Sequence, residues 1–153
     1  MSLSGYFKVF KEATRHILRR PVVGIAAVAR TADGRWLLIR RGDTGQWALP
    51  GGTLEWGETL RVAIVRELAE EAGIDEVTLG DVVGVYSRPD RDPRFHAVTI
   101  VVNATIGEIL RPAENPVEVL EARLFREVDL PASFSHGMDD MLEHARKGEH
   151  FWE

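Results

Sequence analysis

The stretch from Gly51 to Ile74, GGTLEWGETLRVAIVRELAEEAGI, constrains this chain more than any other. A glycine pair leads past Glu58 into a helical run that carries Arg66-Glu67-Leu68-Ala69-Glu70-Glu71 and stops at Gly73. At about 100° per residue, Glu70, Glu67 and Glu71 fall within an arc of roughly 100° on one side of a helix. Leu60, Ile64, Val65, Leu68 and Ala72 occupy a neighbouring, wider arc suited to a core. Carboxylates three and four residues apart repel, weakening an isolated helix by about 0.2–0.5 kcal/mol per pair. Such a run is either a solvated acidic face or the oxygen donor set of a hard divalent cation. Glycines, Glu58 and Arg66 in fixed register with the acids favour the cation. Thr59 is the expected N-cap, without a capping box because Val62 stands where Glu or Gln would be needed. Gly73 is the expected left-handed stop.

Gly52, Glu58, Arg66, Glu67, Leu68, Glu70, Glu71, Gly73 and Ile74 also fill every fixed place of the signature G-x5-E-x7-R-E-U-x-E-E-x-G-U, where U is aliphatic. The chain therefore resembles the Nudix hydrolases. The resemblance implies hydrolysis of a nucleoside diphosphate linked to another group, by attack of water on phosphorus, with Mg²⁺ or Mn²⁺ as cofactor. By the same resemblance Glu70 and Glu71 are metal ligands, the Gly52 carbonyl is a further one, and Glu67 is a ligand or the base that takes the water proton. Glu58 and Arg66 look like supports, with Arg66 holding the glutamates by charge-assisted hydrogen bonds. Family members often recruit one more acid from a later loop. Glu108, Glu114, Glu118 and Glu121 are the candidates, each of which also reads as an ordinary surface glutamate. Glu118, ahead of Glu121-Ala-Arg-Leu-Phe125, fits best.

Substrate choice is carried by Tyr86 to His96, YSRPDRDPRFH. It resembles the Ser-x-Pro-x-Arg-Asp-Pro-Arg-x-His stretch of many ADP-ribose pyrophosphatases, and Pro89 follows Gly73 by 16 residues (89 − 73), as in that subgroup. Ser87, Arg91 and Arg94 are then substrate-binding candidates, since guanidinium suits phosphate and ribose oxygens. Equally, Asp90, Arg91, Asp92 and Arg94 could pair among themselves and only stiffen a loop. His96 reads as a structural, hydrogen-bonded histidine. Trp47 and Trp56 flank the glycines and could stack on a base, although Trp47 beside Leu49 reads as core.

With 153 residues, one domain is expected, residues 1–20 forming a helical extension. A net charge of −5 argues against a nonspecific nucleic-acid or acidic-membrane binder, and an acidic protein acting on a phosphorylated substrate needs a cation between them. The chain has no cysteine, which excludes thiolate chemistry and disulfides and is compatible with a cytoplasmic location. No apolar run approaches the roughly 18 residues of a membrane span.

In chain order the expected elements are a helix over Tyr6 to Leu18 and strands over Val22 to Ala29 and Trp36 to Ile39, these two forming a hairpin. A loop over Gly42 to Gln46 and the glycine loop precede the acidic helix. Strands follow over Val77 to Tyr86, His96 to Ile106 and Val117 to Phe125, then a helix over about Gly137 to Arg146. That order predicts an α/β chain with a mixed sheet covered by helices on both faces, and it resembles the Nudix fold, a mixed β-sheet sandwiched between helices (α/β/α). The expected reaction is cleavage of ADP-ribose to AMP and ribose 5-phosphate. The alternatives are hydrolysis of ordinary or oxidised nucleoside triphosphates and, less favoured because every signature acid is kept, a non-catalytic nucleotide sensor. The expected partner is a small nucleotide substrate, and a homodimer is the assembly the resemblance allows.

Overall fold

The computed structural model describes residues 10–11, 13–14 and 19–153. The expected N-terminal helix lies outside the described residues apart from 10–11 and 13–14, which are helical. From residue 22 the chain builds an eight-stranded mixed sheet in the order β3-β2-β1-β6-β5-β8, with β4 added to β1 and β7 added to β2. The strands are β1 (Val22–Thr31), β2 (Trp36–Arg41), β3 (Trp47–Ala48), β4 (Gly51–Thr53), β5 (Val77–Tyr86), β6 (Ala97–Ile106), β7 (Val119–Phe125) and β8 (Phe151–Trp152). The helices are α1 (Leu60–Ala72) and α2 (Asp139–Lys147).

β1 is a near-continuous apolar run because both of its faces are covered, as such runs require. Its Ile25, Ala27 and Ala29 pack with Ala63, Ile64, Leu68 and Ala72 of α1. Its Ala26 and Val28 pack with Met141, Leu142 and Ala145 of α2 on the opposite face. A helix thus lies on each face of the sheet, the α/β/α arrangement expected from the order of elements. β1 runs parallel to β6 along its whole length, Val22 opposite Ala97 through Thr31 opposite Ile106. Its other edge is shared. Arg30 pairs with Trp36 in the expected hairpin, and Gly24, Ile25 and Ala26 pair antiparallel with β4.

That second pairing corrects one expectation. Gly51 and Gly52 lie in a strand, not a loop, and the strand is pinned to the centre of the sheet. Glycine is required there because a side chain on Gly51 would overlap the Ile25 carbonyl. A second correction concerns α1. Ala63, not Val65, completes its buried stripe, and Val65 is 40% exposed. The caps of α1 are as expected: the Thr59 hydroxyl accepts from the Val62 N–H at 3.4 Å, and Gly73 is left-handed with φ 60°. β3, β8 and two 3-10 turns were not foreseen, being too short to show a periodic pattern.

Candidate active site

Pairing of β4 with β1 lays the glycine strand alongside the acidic side of α1, and the two meet through Glu71 and Glu67. The Gly51 N–H donates to Glu71 Oε2 at 2.8 Å. A Cβ on Gly52 would overlap the Glu67 carboxylate, so only glycine lets backbone and acid approach this closely. Arg66 then ties the set together. Its Nε and Nη2 donate to the two oxygens of Glu58 at 2.7 and 3.0 Å, a bidentate fork. Its Nη1 donates to Glu67 Oε1 at 3.0 Å and to Glu70 Oε2 at 3.3 Å. Glu58 also accepts from the Glu55 N–H at 3.0 Å. Residues far apart in the signature are therefore one hydrogen-bonded unit.

Each acid has its own electrostatic environment. Glu71 is 6% exposed, and burial pushes its carboxyl up to about 8 against the opposing pull of the Gly51 N–H; the nearby Glu67 and Glu118 charges add to the rise. Burial also raises Glu67, more than the Arg66 hydrogen bond lowers it. Glu58 moves the other way, held below the usual carboxylate range by Arg66 first and the Glu55 N–H second. Arg66 stays charged throughout.

Gly24, Gly51, Gly52 and Glu67 floor a cavity of about 300 Å³. Arg41, Asp92, Arg94, Glu118 and His136 line the same cavity, with Phe95 and Met138 as apolar neighbours. A larger groove of about 440 Å³ lies among Arg30, Thr78, Asn103 and Thr105 at another part of the sheet. No carboxylate lines it, so size alone does not make it the site.

The structure sorts the remaining expected residues. Glu118 reaches the cavity rim, 3.4 Å from Asn115 Nδ2, and its charge is felt at both Glu67 and Glu71. The other candidate acids do not: Glu108 pairs with Arg35, Glu121 pairs with Arg123 and Arg40, and Glu114 donates its backbone N–H to the Glu70 carbonyl. Arg94 lines the cavity, bound to Asp92 at 2.8 Å and to Asp43 at 3.1 Å. Arg91 and Ser87 are not brought there. Arg91 is 6% exposed, forks onto Asp140 at 2.6 and 2.9 Å, donates to the Gly137 carbonyl at 2.6 Å and pairs with Glu153. The Ser87 N–H donates to Glu153 Oε2 at 2.7 Å, and the Ser87 carbonyl faces His96 Nε2 at 2.8 Å. Both residues anchor the β5–β6 loop. Trp47 packs edge-on to Phe125, as a core residue would, and Trp56 is fully exposed.

Asp43 and His136 were not singled out in the sequence. Asp43 sits in an unremarkable turn, and His136 is a single histidine ahead of a helix. The one available signal was the pair His136-Gly137 before Asp139-Asp140, which marks a tight turn into α2.

A family model of the NUDIX domain matches residues 18–145. This chain belongs to the Nudix family. An ADP-ribose pyrophosphatase of Methanocaldococcus jannaschii is 39% identical over 121 residues, covering 76% of this chain and 69% of the relative. A Bacillus subtilis protein with the provisional name 8-oxo-dGTP diphosphatase is 45% identical over 60 residues, 39% of this chain and 40% of its own. Among solved structures, a MutT NUDIX hydrolase from Burkholderia pseudomallei is 33% identical with a TM-score of 0.66, covering 82% of this chain and 98% of that one. As a Nudix hydrolase the protein acts on diphosphate bonds, and Nudix hydrolases generally need a divalent cation.

The residues present fit such a cation in kind. Glu67, Glu70 and Glu71 supply hard carboxylate oxygens, and the glycine strand brings backbone beside them. Buried Glu71 is a carboxylate whose charge is poorly compensated by a single N–H, and that is what a cation would correct. Among the described residues no three acid or imidazole groups are gathered so as to hold a metal ion as they stand; Arg66 engages Glu67 and Glu70, and Gly51 engages Glu71. No helix among the described residues is long and apolar enough to cross a membrane.

Proposed function

We propose that this Nudix hydrolase splits a nucleoside diphosphate joined to a second group, most directly ADP-ribose into AMP and ribose 5-phosphate. The observation that carries the reading is the shared cavity: Gly52 and Glu67 line it together with Arg94, from the segment that resembles the ADP-ribose enzymes. The archaeal relative supports the same substrate. Glu67, Glu70, Glu71 and the Gly52 carbonyl would hold Mg²⁺ or Mn²⁺, which when bound polarises phosphoryl oxygens and lowers the pKa of water. Arg66 keeps the glutamates oriented, and Arg94 binds an anionic oxygen of the substrate. Glu118, on the rim, is the candidate to accept the proton of the attacking water.

Hydrolysis of an oxidised or ordinary nucleoside triphosphate is the second reading, favoured by the Bacillus subtilis relative. Product analysis separates the two. Purified protein is given ADP-ribose, NADH, sugar nucleotides and nucleoside triphosphates with either cation. AMP and ribose 5-phosphate formed fastest from ADP-ribose supports the first reading; pyrophosphate released from a triphosphate refutes it in favour of the second. Light scattering on the same sample tests a homodimer.

A further inference from the structure

His136 is the one non-glycine residue with positive φ among the described residues, at φ 51° and ψ 37°. Gly137 follows in the same region at φ 64°. Left-handed backbone suits glycine and, next, asparagine, so a histidine there carries strain that its side chain must offset. The ring is only 8% exposed, and it lines the cavity that Glu67 and Gly52 floor.

Both ring nitrogens face carboxylates from other connections. Nε2 lies 3.3 Å from Asp43 Oδ2, and Nδ1 lies 3.8 Å from Asp92 Oδ1. The same two carboxylates hold the arginines of this wall. Arg94 reaches Asp43 at 3.1 Å and Asp92 at 2.8 Å, and Arg41 forks onto Asp43 at 3.0 Å through both Nε and Nη2. Asp43 belongs to the β2–β3 connection, Asp92 and Arg94 to the β5–β6 loop, and His136 to the turn before α2. One imidazole therefore stands where three connections meet.

This arrangement bears on how an anion is bound. The charges of Arg41 and Arg94 are already taken up by Asp43 and Asp92. Arg94 spends three of its five N–H groups on those carboxylates, and its side chain is 42% exposed, so two N–H groups remain to meet a substrate oxygen as long as the aspartates keep the guanidinium in place. His136 braces the same pair: Nε2 is within hydrogen-bond distance of Asp43, and Nδ1 packs beside Asp92 at 3.8 Å, beyond a hydrogen bond.

We propose that His136 is a positioning residue for the anionic half of the substrate, holding Asp43 and Asp92 in place so that Arg94 can turn a guanidinium N–H to the bound substrate. It acts through Arg94 and not on the reacting atoms. The proposal rests on this cavity being the active site.

The test uses the full chain and the diphosphate that the wild type splits fastest. His136→Gly removes the ring and the strain together; His136→Asn keeps a side-chain donor in a residue that tolerates the left-handed region. With His136→Gly, the melting temperature should hold or rise, while kcat/KM falls about tenfold or more, through KM rather than kcat. His136→Asn should recover part of that loss. The double variant with Arg94→Ala should be no worse than Arg94→Ala alone, because both act on one contact. A wild-type KM in His136→Gly, or losses that multiply in the double variant, would overturn the proposal. Should the wild type split no diphosphate, the functional reading fails separately. The same variants are then compared by calorimetric Kd for ADP-ribose, where an unchanged His136→Gly value overturns the proposal and a tenfold loss supports it.

Discussion

On the helix side of the cavity, Glu67, Glu70 and Glu71 come from just over one turn of α1, and a single arginine orients two of them. On the loop side, Asp43, Asp92, Arg94 and His136 come from three connections, and Arg94 together with Arg41 at the end of β2 pairs with the two aspartates. The helix side concentrates negative charge that its own residues do not balance, at the cost of a raised Glu71. A surplus of that kind calls for a cation, and a cation there serves any phosphoanhydride. On the loop side the two arginines are each held by an aspartate, and Arg94 keeps N–H groups that those contacts do not use. On the proposed reading, chemistry belongs to the helix side and substrate discrimination to the loop side.

The sharpest way to break this division is to neutralise the helix side. Glu70→Gln and Glu71→Gln should each lower turnover by about 10²-fold or more, as loss of a metal ligand worth several kcal/mol implies, with the fold intact. Near-normal rates, or unfolding of the Gln variants, would remove the assigned role. Gly52→Ala should come next. Its Cβ would displace the Glu67 carboxylate, the end of a flexible side chain, so melting temperature should barely change. A displacement of about 1 Å at a reacting centre can cost up to roughly 100-fold in rate, and kcat should show it. Equal loss of stability and activity would instead mean a purely structural glycine. Arg94→Ala tests the other wall and should be milder, about tenfold in KM with kcat little changed, in line with one charge-assisted hydrogen bond. A kcat effect as large as that of Glu70→Gln would erase the distinction between the walls.

The smallest effect is a pH slope. Glu71 is pushed up to about 8 by burial from an ordinary value of 4.5, so the folded chain keeps a proton that the unfolded chain has released. Stability should therefore decline as pH rises from about 4.5 through 8, and Glu67, also raised, adds in the same direction. Asp43, Asp92 and Glu58 are lowered, so their contributions vanish only below about pH 4 and do not overlap this window. Melting temperature in chelator should fall between pH 5 and 8, at roughly 2–4 °C per kcal/mol for a chain of this size. Glu71→Gln should flatten the slope, and a wild-type slope in that variant would assign it elsewhere.

The same contrast explains what could be read from the sequence. Helical periodicity fixes where Glu67, Glu70 and Glu71 point, and Thr59 and Gly73 mark the ends, so that side was legible down to its caps. The sheet sandwiched between two helices was legible too, because β1 is apolar on both faces. Periodicity could not say that β4 would join β1, since three residues carry no pattern, nor that Ala63 would be buried in place of Val65. On the loop side, Asp92 and Arg94 were visible as a charged cluster, but their partner Asp43 lies about fifty residues away along the chain. Arg91 looked like a twin of Arg94 and instead faces Asp140 and Glu153, a choice made by where α2 and β8 dock. His136 was invisible because its significance lies in a backbone angle.

Mn²⁺ binding followed by the loss of the free ion's paramagnetic signal tests the division most directly, because it needs no substrate. We expect the wild type and Arg94→Ala to bind Mn²⁺ alike, and Glu71→Gln to bind at least tenfold more weakly. Equal binding by wild type and Glu71→Gln, or loss of binding in Arg94→Ala, would contradict the assignment of the cation to the helix side.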